Sequence, residues 1–180
     1  DTWYNTFTNS ENKSVPGWTL GFESRYPEFE DYQSTEIDGW FRLCNWIAST
    51  KDNPEKFKAE FDQYLDFNFT CFYYVITHVL LMIDSRAKNA FLATWDNKKW
   101  YPIMYDMDTM LGLNNYGYNK FSYDAEDTEA GLYNGQASIL WNNFREAFKE
   151  EIADFYSNMR TLGGLTYNEM IHRYNTIQAD

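Results

Sequence analysis

The sequence of residues 84–112 is DSRAKNAFLATWDNKKWYPIMYDMDTMLG, and this stretch decides how the rest of the chain is interpreted. After a polar hexapeptide come two short segments rich in aromatic and aliphatic residues, 90–95 and 100–105. The polar tripeptide at 96–98 lies between them, and Asp and Asn in such a position favour a tight turn. The pattern therefore predicts two antiparallel strands joined as a β-hairpin.

Two carboxylates, Asp106 and Asp108, follow the second predicted strand. Residues two apart on extended backbone point to the same side, so both should face one site. Ahead of the hairpin, the polar loop offers Asp84, Arg86 and Asn89. Such an oxygen-rich group suits Mg²⁺, and phosphoryl transfer needs one Asp to orient the acceptor hydroxyl and an Asp–Asn set to hold metals. The alternatives are a loop that caps the preceding helix, strand-end turns, or a structural Ca²⁺ site.

The spacing of these residues matches that of the catalytic residues of protein kinases. Asp84 precedes Asn89 by five residues, as the catalytic-loop Asp of kinases precedes the metal-binding Asn. Arg86 occupies the position of a basic residue in kinases, and Asp106 follows across a short hairpin. An Asp and an Asn at this spacing are common in proteins. The buried helix before them and the D-x-D-x-x-x-G motif after the hairpin make the combination more specific.

Three helices are predicted upstream of this stretch. The first follows a cap at Ser34 or Thr35 and continues through Ala48. The second opens at Asn53-Pro54, where proline is tolerated, and the third covers about 67–83 and should be central because it is the most apolar. Before them, 18–26 alternates as a strand does. The predicted apolar faces are Ile37, Trp40, Phe41, Cys44 and Ile47 in the first helix, Phe57, Phe61, Tyr64 and Leu65 in the second, and Phe69, Phe72, Ile76, Val79 and Ile83 in the third.

Downstream of the hairpin, residues 112–136 are rich in Gly, Asn, Asp and Tyr and predict a long loop. Loops of this length in a compact domain are usually functional or mobile. A helical pattern then covers 138–162, and Thr166 with Glu169 forms a capping box for a last helix. The predicted fold class is α+β and mostly helical.

The composition excludes several classes of partner. The chain has 180 residues, a length that suits one domain, and a net charge of −12, with 15 basic against 27 acidic residues. Nucleic acids and anionic membrane surfaces require clustered Lys and Arg, so neither is expected as a partner. The longest apolar run, 71–83, is too short to cross a bilayer. Cys44 and Cys71 are expected to be buried free thiols, because both lie on apolar helical faces.

The stretch at 84–112 resembles the spore-coat CotH kinase-like family, in which an Asp and an Asn precede an aromatic-rich hairpin and a D-x-D motif. Upstream, GWTLGFESRYP at 17–27 and FDQYLDFNFTCFYYVITHVLLMID at 61–84 are similar to the same family. The segment at 138–171 resembles the helical tail of the copies found within large phage structural proteins. The resemblance covers most of 17–178.

The resemblance implies an atypical kinase-like fold that binds ATP with Mg²⁺ and phosphorylates protein Ser or Thr. By position, Asp84 would be the catalytic Asp with Arg86 beside it, Asn89 and Asp106 would bind the metal and nucleotide, and Asp108 would be a further metal ligand. No Gly-rich phosphate loop precedes Asp84. We therefore expect 17–180 to be the C-terminal lobe, 1–16 to be a linker or loop, and the nucleotide-clamping lobe to lie upstream.

The expected partners are a protein substrate or neighbouring virion or coat proteins, at a virion or an extracytoplasmic surface. A second hypothesis is a structural or binding module of a phage virion or surface protein whose chemistry is unused. A third is a carbohydrate-binding module, in which Trp95, Trp100, Tyr116 and Tyr118 would stack on sugars. For these aromatic residues, packing of the core and hairpin is the simpler interpretation.

Overall fold

The computed structural model describes a mostly helical chain with one two-stranded antiparallel sheet, in agreement with the predicted α+β class. The described residues are 38–82, 85–86, 89–111, 113, 117–118 and 138–178. The predicted linker at 1–16, the predicted strand at 18–26, the predicted catalytic Asp84 and most of the predicted loop at 112–136 lie outside them.

The elements follow the predicted order. The helices are α1 (Asp38–Ser49), α2 (Pro54–Glu60), which continues into a 3-10 turn (Phe61–Gln63), α3 (Phe67–Val79), α4 (Ile139–Ala147), α5 (Lys149–Thr161) and α6 (Tyr167–Gln178). The strands, β1 (Phe91–Thr94) and β2 (Trp100–Ile103), lie between α3 and α4.

Side-chain caps fix where four of the helices begin. Asn53, Asp66, Ser138 and Thr166 each accept a hydrogen bond from the backbone amide three residues further on, at 3.0 to 3.4 Å. Such a cap satisfies one of the amides that have no partner within the helix. The predicted starts of the helices at Pro54 and after Thr166 are confirmed.

The core is built from aromatic rings contributed by α1, α2, α3, α4, β2 and the turns that follow α2 and α4. Phe144 is fully buried, and its ring centroid lies 5.4 Å from Phe61, 5.1 Å from Phe148 and 5.5 Å from Tyr74. Tilted and edge-to-face pairs at these distances are the favoured geometries of aromatic packing. The high aromatic content therefore serves the core first, as the simpler interpretation of the sequence had it.

The buried face of α1 is shifted from the predicted one. Leu43 and Trp46 are the most buried residues of this helix, whereas Phe41, Cys44 and Ile47 are only half-buried. The Trp46 indole stacks on two aromatic rings, with its centroid 4.9 Å from that of Phe57 and 4.4 Å from that of Tyr64. Packing by this largest side chain sets the rotation of the helix.

The predicted face of the third helix was also wrong in part. Phe69 and Phe72 are 53% and 42% exposed, while the buried residues are Thr70, Cys71 and the run 73–77. The helix is apolar nearly all round, so its sequence does not select one face. Packing on two sides, against α5 and β2, makes the selection instead.

Two helices end earlier than predicted. The third was expected to reach residue 83 but ends at Val79, and the helix predicted over 138–162 is divided at Phe148 into α4 and α5. Phe148 leaves helical geometry, with φ −121° and ψ 28°, and its buried ring packs 5.0 Å from both Phe61 and Phe67. Burial of that ring fixes where the chain turns.

The hairpin is attached to the helical part at its β2 side and at its turn. The Trp100 amide donates to the Tyr64 carbonyl at 2.8 Å, and the Trp100 carbonyl accepts from the Asp66 amide at 3.0 Å. At the turn, Gly39 of α1 approaches so closely that a Cβ there would lie 2.0 Å from Asn97 Oδ1. These contacts hold the hairpin firmly against α1 and the end of the turn after α2.

The two cysteines are free thiols, as expected: Cys71 is buried and Cys44 half-buried. Burial raises the pKa of each thiol to about 12, because the thiolate loses its hydration. None of the helices in the described ranges is long and apolar enough to cross a membrane.

Candidate active site

The open end of the hairpin brings two of the predicted site residues together. Asn89 precedes β1, Asp106 follows β2, and the strand register pairs Phe91 with Ile103 at this end. Asn89 Nδ2 donates a hydrogen bond to Asp106 Oδ2 at 3.1 Å. Residues 17 positions apart in the sequence thus meet because the antiparallel pairing returns the chain to its starting edge.

An aromatic pair supports this edge from the next positions along the chain. The rings of Phe91 and Tyr105 stack with centroids 4.6 Å apart and an interplanar angle of 30°. Cross-strand aromatic pairs contribute to pairing beyond their buried area. The pair therefore keeps the two strand ends together at the level of Asn89 and Asp106.

The backbone at Asp106 differs from the prediction. Its φ is 50°, in the left-handed region, so the chain is not extended there and the expected alternation that would turn Asp106 and Asp108 to one side does not apply. Asp tolerates this region because its short polar side chain can hydrogen-bond locally. Asp108 is exposed, and no hydrogen bond or ion pair joins it to another described residue.

Three left-handed residues surround this region. Of the five non-glycine residues with positive φ among those described, Leu81, Asp106 and Leu111 flank the predicted site. Left-handed backbone costs roughly 1–2 kcal/mol for an ordinary L-residue. It is uncommon for leucine, and such strain is concentrated at functional sites in proteins.

The two leucines mark where the chain changes direction. After α3, the Met82 amide donates to the Thr77 carbonyl and the Leu81 amide to the His78 carbonyl, a Schellman motif with leucine where glycine is usual. Beyond Asp108, the Leu111 amide donates to the Leu80 carbonyl at 2.6 Å. The segment after the hairpin therefore returns to the end of α3.

Two buried aromatic side chains hold the backbone of the loop between α3 and β1 by hydrogen bonds. The Tyr73 hydroxyl donates to the Ser85 carbonyl, and Trp141 Nε1 donates to the Arg86 carbonyl at 2.8 Å. The Tyr73 and Trp141 rings lie nearly parallel, with centroids 5.8 Å apart. The helices α3 and α4 thus each supply one anchor for this loop.

Arg86 lies in the interior. Only 3% of its surface is exposed, and its guanidinium carbon lies 4.6 Å from the centroid of the Tyr74 ring. The ring of the half-buried His78 also stacks on Tyr74, with centroids 4.8 Å apart. A guanidinium over a tyrosine face is an attractive arrangement that strengthens when water is excluded. This placement suits a residue that holds the loop, while its predicted catalytic role stays a prediction.

The paired side chains fit a hard cation. The contact between Asn89 and Asp106 uses the amide nitrogen and one carboxylate oxygen, so an amide oxygen and a second carboxylate oxygen are left as ligands. Oxygen donors of this kind are those that Mg²⁺ prefers. Within the described ranges, which do not include Asp84, no group of three or more His, Cys, Asp or Glu residues forms a metal site.

The aromatic residues proposed as a sugar platform divide into two kinds. Trp100 is 9% exposed and packs edge-on against Trp40 at 5.5 Å, so it belongs to the core. Trp95 and Tyr118 are exposed, at 78% and 70%, and Tyr116 lies outside the described residues. Trp95 contacts Tyr101 edge-on at 4.7 Å. Trp100 therefore does not share an exposed surface with Trp95 and Tyr118.

Sequence reasoning did not single out Tyr73 and Trp141. Both lie on apolar helical stripes and resemble core residues, and nothing in their spacing points to the loop. The one available signal is chemical, because a buried Tyr or Trp usually finds a hydrogen-bond partner for its polar atom. That signal does not identify the partner.

A match to a protein family covers nearly the whole chain. A family model described as CotH kinase protein matches residues 5–179. The chain therefore belongs to the CotH kinase family, which confirms the resemblance drawn from its sequence. No curated protein and no solved structure matches the chain. The likeness to copies within phage structural proteins stays a prediction.

Proposed function

We propose that this chain is part of a CotH-type kinase domain that catalyses Mg²⁺-dependent transfer of the γ-phosphoryl group of ATP to a Ser or Thr hydroxyl of a protein. The observation that carries the proposal is the contact between Asn89 and Asp106 at the open end of the hairpin. It places an amide and a carboxylate side by side in a chain of the CotH kinase family.

The roles of the residues follow from phosphoryl-transfer chemistry. Asn89 and Asp106 would hold Mg²⁺, and the ion would supply positive charge that offsets the negative charge developing on the transferred phosphoryl group. Asp84, five residues before Asn89, would accept the proton of the attacking hydroxyl. Asp108 would be a further ligand. The backbone anchors on Ser85 and Arg86 support the loop that joins these residues.

The test is phosphate transfer from labelled ATP by the full-length protein and by Asp106→Asn. The substitution keeps the size of the side chain and removes its charge. Loss of one charge-stabilising group at a reacting centre typically lowers turnover about 100- to 1,000-fold, so we expect a loss in that range. Mg²⁺ binding, measured by calorimetry, should weaken in the same variant.

The matched control is Asp96→Asn, at the opposite end of the same hairpin. Asp96 is fully exposed, and its carboxylate accepts hydrogen bonds from the Lys98 and Lys99 amides, each at 2.9 Å. This variant has the same change of net charge and should keep wild-type transfer. Equal phosphate incorporation by Asp106→Asn and the wild type would refute the role of Asp106. Absence of transfer by the wild type would favour the structural or binding module instead.

A further inference from the structure

The loop that carries the predicted catalytic residues is fixed by a pair of aromatic donors that act on its backbone. Ser85 and Arg86 are 1% and 3% exposed, so their carbonyl groups lie where water does not compete. Tyr73 and Trp141 supply the two hydrogen bonds. A buried carbonyl without a donor is costly, so each anchor restrains the loop more than a bond at the surface would.

The two donors form one unit. Tyr73 is on α3 and Trp141 is on α4, and their rings are nearly parallel, with an angle of 14° between the planes. Both rings are at least 95% buried. Neither side chain can therefore turn without disturbing the other, and the two hydrogen bonds are directed at adjacent peptide groups.

The anchored peptides join the residues that the proposed function requires. Asp84 immediately precedes Ser85, and Asn89 lies three residues after Arg86. The position of a side chain in phosphoryl transfer depends on the backbone that carries it, and a displacement of about 1 Å can lower a rate about 100-fold. The anchors bind main-chain oxygens and therefore do not use the side chains that form the contact between Asn89 and Asp106.

We infer that Tyr73 and Trp141 are positioning residues, which hold the backbone at Ser85 and Arg86 so that Asp84 and Asn89 are set for phosphoryl transfer. The inference rests on the proposed function. The two residues do not touch substrate or metal; they act through the two carbonyl groups of the loop.

The variant that tests this is Trp141→Phe, which keeps an aromatic ring and removes the indole donor. Its control is Trp46→Phe. Trp46 is 3% exposed, stacks on aromatic rings, and donates its indole hydrogen to Glu60 at 3.1 Å, far along the chain from the loop. Both variants lose one indole hydrogen bond and similar volume from the same core, so a general loss of stability is common to them.

We expect kcat of Trp141→Phe to fall about 10- to 100-fold, with KM for ATP within about two-fold of wild type, because orientation affects the chemical step more than uniform binding. Trp46→Phe should keep kcat at a temperature at which both variants are folded. Tyr73→Phe removes only the hydroxyl that binds Ser85 and should lower kcat in the same direction. If Trp141→Phe does not fold, the kcat of Tyr73→Phe tests the positioning role instead.

Hydrogen exchange provides a readout that does not require turnover. The amides of Ser85, Arg86 and Asn89 should exchange faster in Trp141→Phe and Tyr73→Phe, but not in Trp46→Phe. Unchanged exchange in the first two variants would overturn the anchoring. Faster exchange with equal kcat in all variants would overturn the positioning role. Faster exchange in a protein whose wild type transfers no phosphate would refute the proposed function and, with it, positioning for catalysis.

Discussion

The helical core and the hairpin with its loop are held together by different kinds of contact. In the core, Phe61, Phe144 and Phe148 meet ring against ring, and no single polar contact defines their arrangement. In the loop before the hairpin, directional hydrogen bonds hold the backbone carbonyls of Ser85 and Arg86. Near the open end of the hairpin, several residues adopt left-handed backbone conformations. One region gains free energy from buried area, and the other gains a defined geometry.

This difference predicts that substitutions in the two regions have separable effects. Apolar burial scales with area and has no preferred direction, so its loss lowers the free energy of unfolding. A single hydrogen bond contributes only about 0.5–1.5 kcal/mol to stability, yet it fixes the position of an atom. Core variants should therefore lose stability, while variants at the open end of the hairpin should lose activity and keep most of their stability.

The largest expected effect is that of Phe144→Ala. Phe144 is fully buried and contacts three other rings within 5.5 Å, so truncation removes apolar contact and leaves a cavity. We expect the free energy of unfolding, measured by urea denaturation, to fall by about 3–5 kcal/mol. Ile177→Ala, at a position 77% exposed, is the control and should change it by less than about 0.5 kcal/mol.

To compare the two regions, the free energy of unfolding and the rate of phosphate transfer are measured for both Phe144→Ala and Asp106→Asn. Asp106→Asn should leave the urea midpoint close to that of the wild type, because Asp106 is exposed and one surface contact contributes little. If this variant instead lost as much stability as Phe144→Ala, the hairpin end would be part of the folding core. The division between the two regions would then be wrong.

The sequence predicts most of the elements, because their local signals agree with the structure. Asn53-Pro54 and Thr166 with Glu169 mark helix starts that the structure confirms. The turn at 96–98 separates two strands as predicted, and Asn97 adopts the positive φ that Asn tolerates. In each case, a few neighbouring residues carry the whole signal.

Predictions that required tertiary information were less successful. The face of α3 could not be chosen from periodicity, since residues around the whole helix are apolar and Phe69 turned out to be exposed. The end of α3 depends on a leucine in a left-handed conformation, which no propensity predicts. For the site, the sequence predicted Asn89 and Asp106 as partners, while Tyr73 and Trp141 became visible only when the chain was folded.

A smaller effect, of opposite sign, is expected at Leu111. Its φ is 55° and its side chain is 53% exposed, so the strain of the left-handed backbone is offset by little burial. Asn is tolerated better in this conformation, and Leu111→Asn should raise the free energy of unfolding by up to about 1 kcal/mol. The readout is the urea midpoint.

Leu162→Asn is the matched control for this stabilisation. Leu162 is 85% exposed and is the C-cap residue of α5, and its φ is −122°, which leucine adopts without strain. No gain is expected there. A similar gain in both variants would show that removal of an exposed leucine, and not relief of backbone strain near the hairpin, is the cause.

The smallest effect tests whether a directional contact matters when it is exposed. Glu151 of α5 accepts a hydrogen bond from Lys58 of α2, with side chains 39% and 46% exposed, and this contact lowers the pKa of Glu151 below its usual value of 4.5. A depressed carboxylate pKa contributes stability above the unfolded-state pKa, and this is lost as the pH falls through the folded-state pKa. Screening by water limits the contribution to about 0.2–1 kcal/mol.

Glu151→Gln should therefore lower the free energy of unfolding at pH 7 by less than about 1 kcal/mol. The difference from wild type should shrink as the pH falls below 4.5 and disappear once the pH is below the folded-state pKa of Glu151. Glu150→Gln is the control. Glu150 lies in the same first turn of α5, so this substitution also removes one negative charge near the N-terminus of the helix. A difference between the two variants isolates the contact with Lys58. A loss at Glu151 as large as that at Phe144 would mean that exposed polar contacts also stabilise this fold, and that the contrast between its core and its hairpin lies in burial alone.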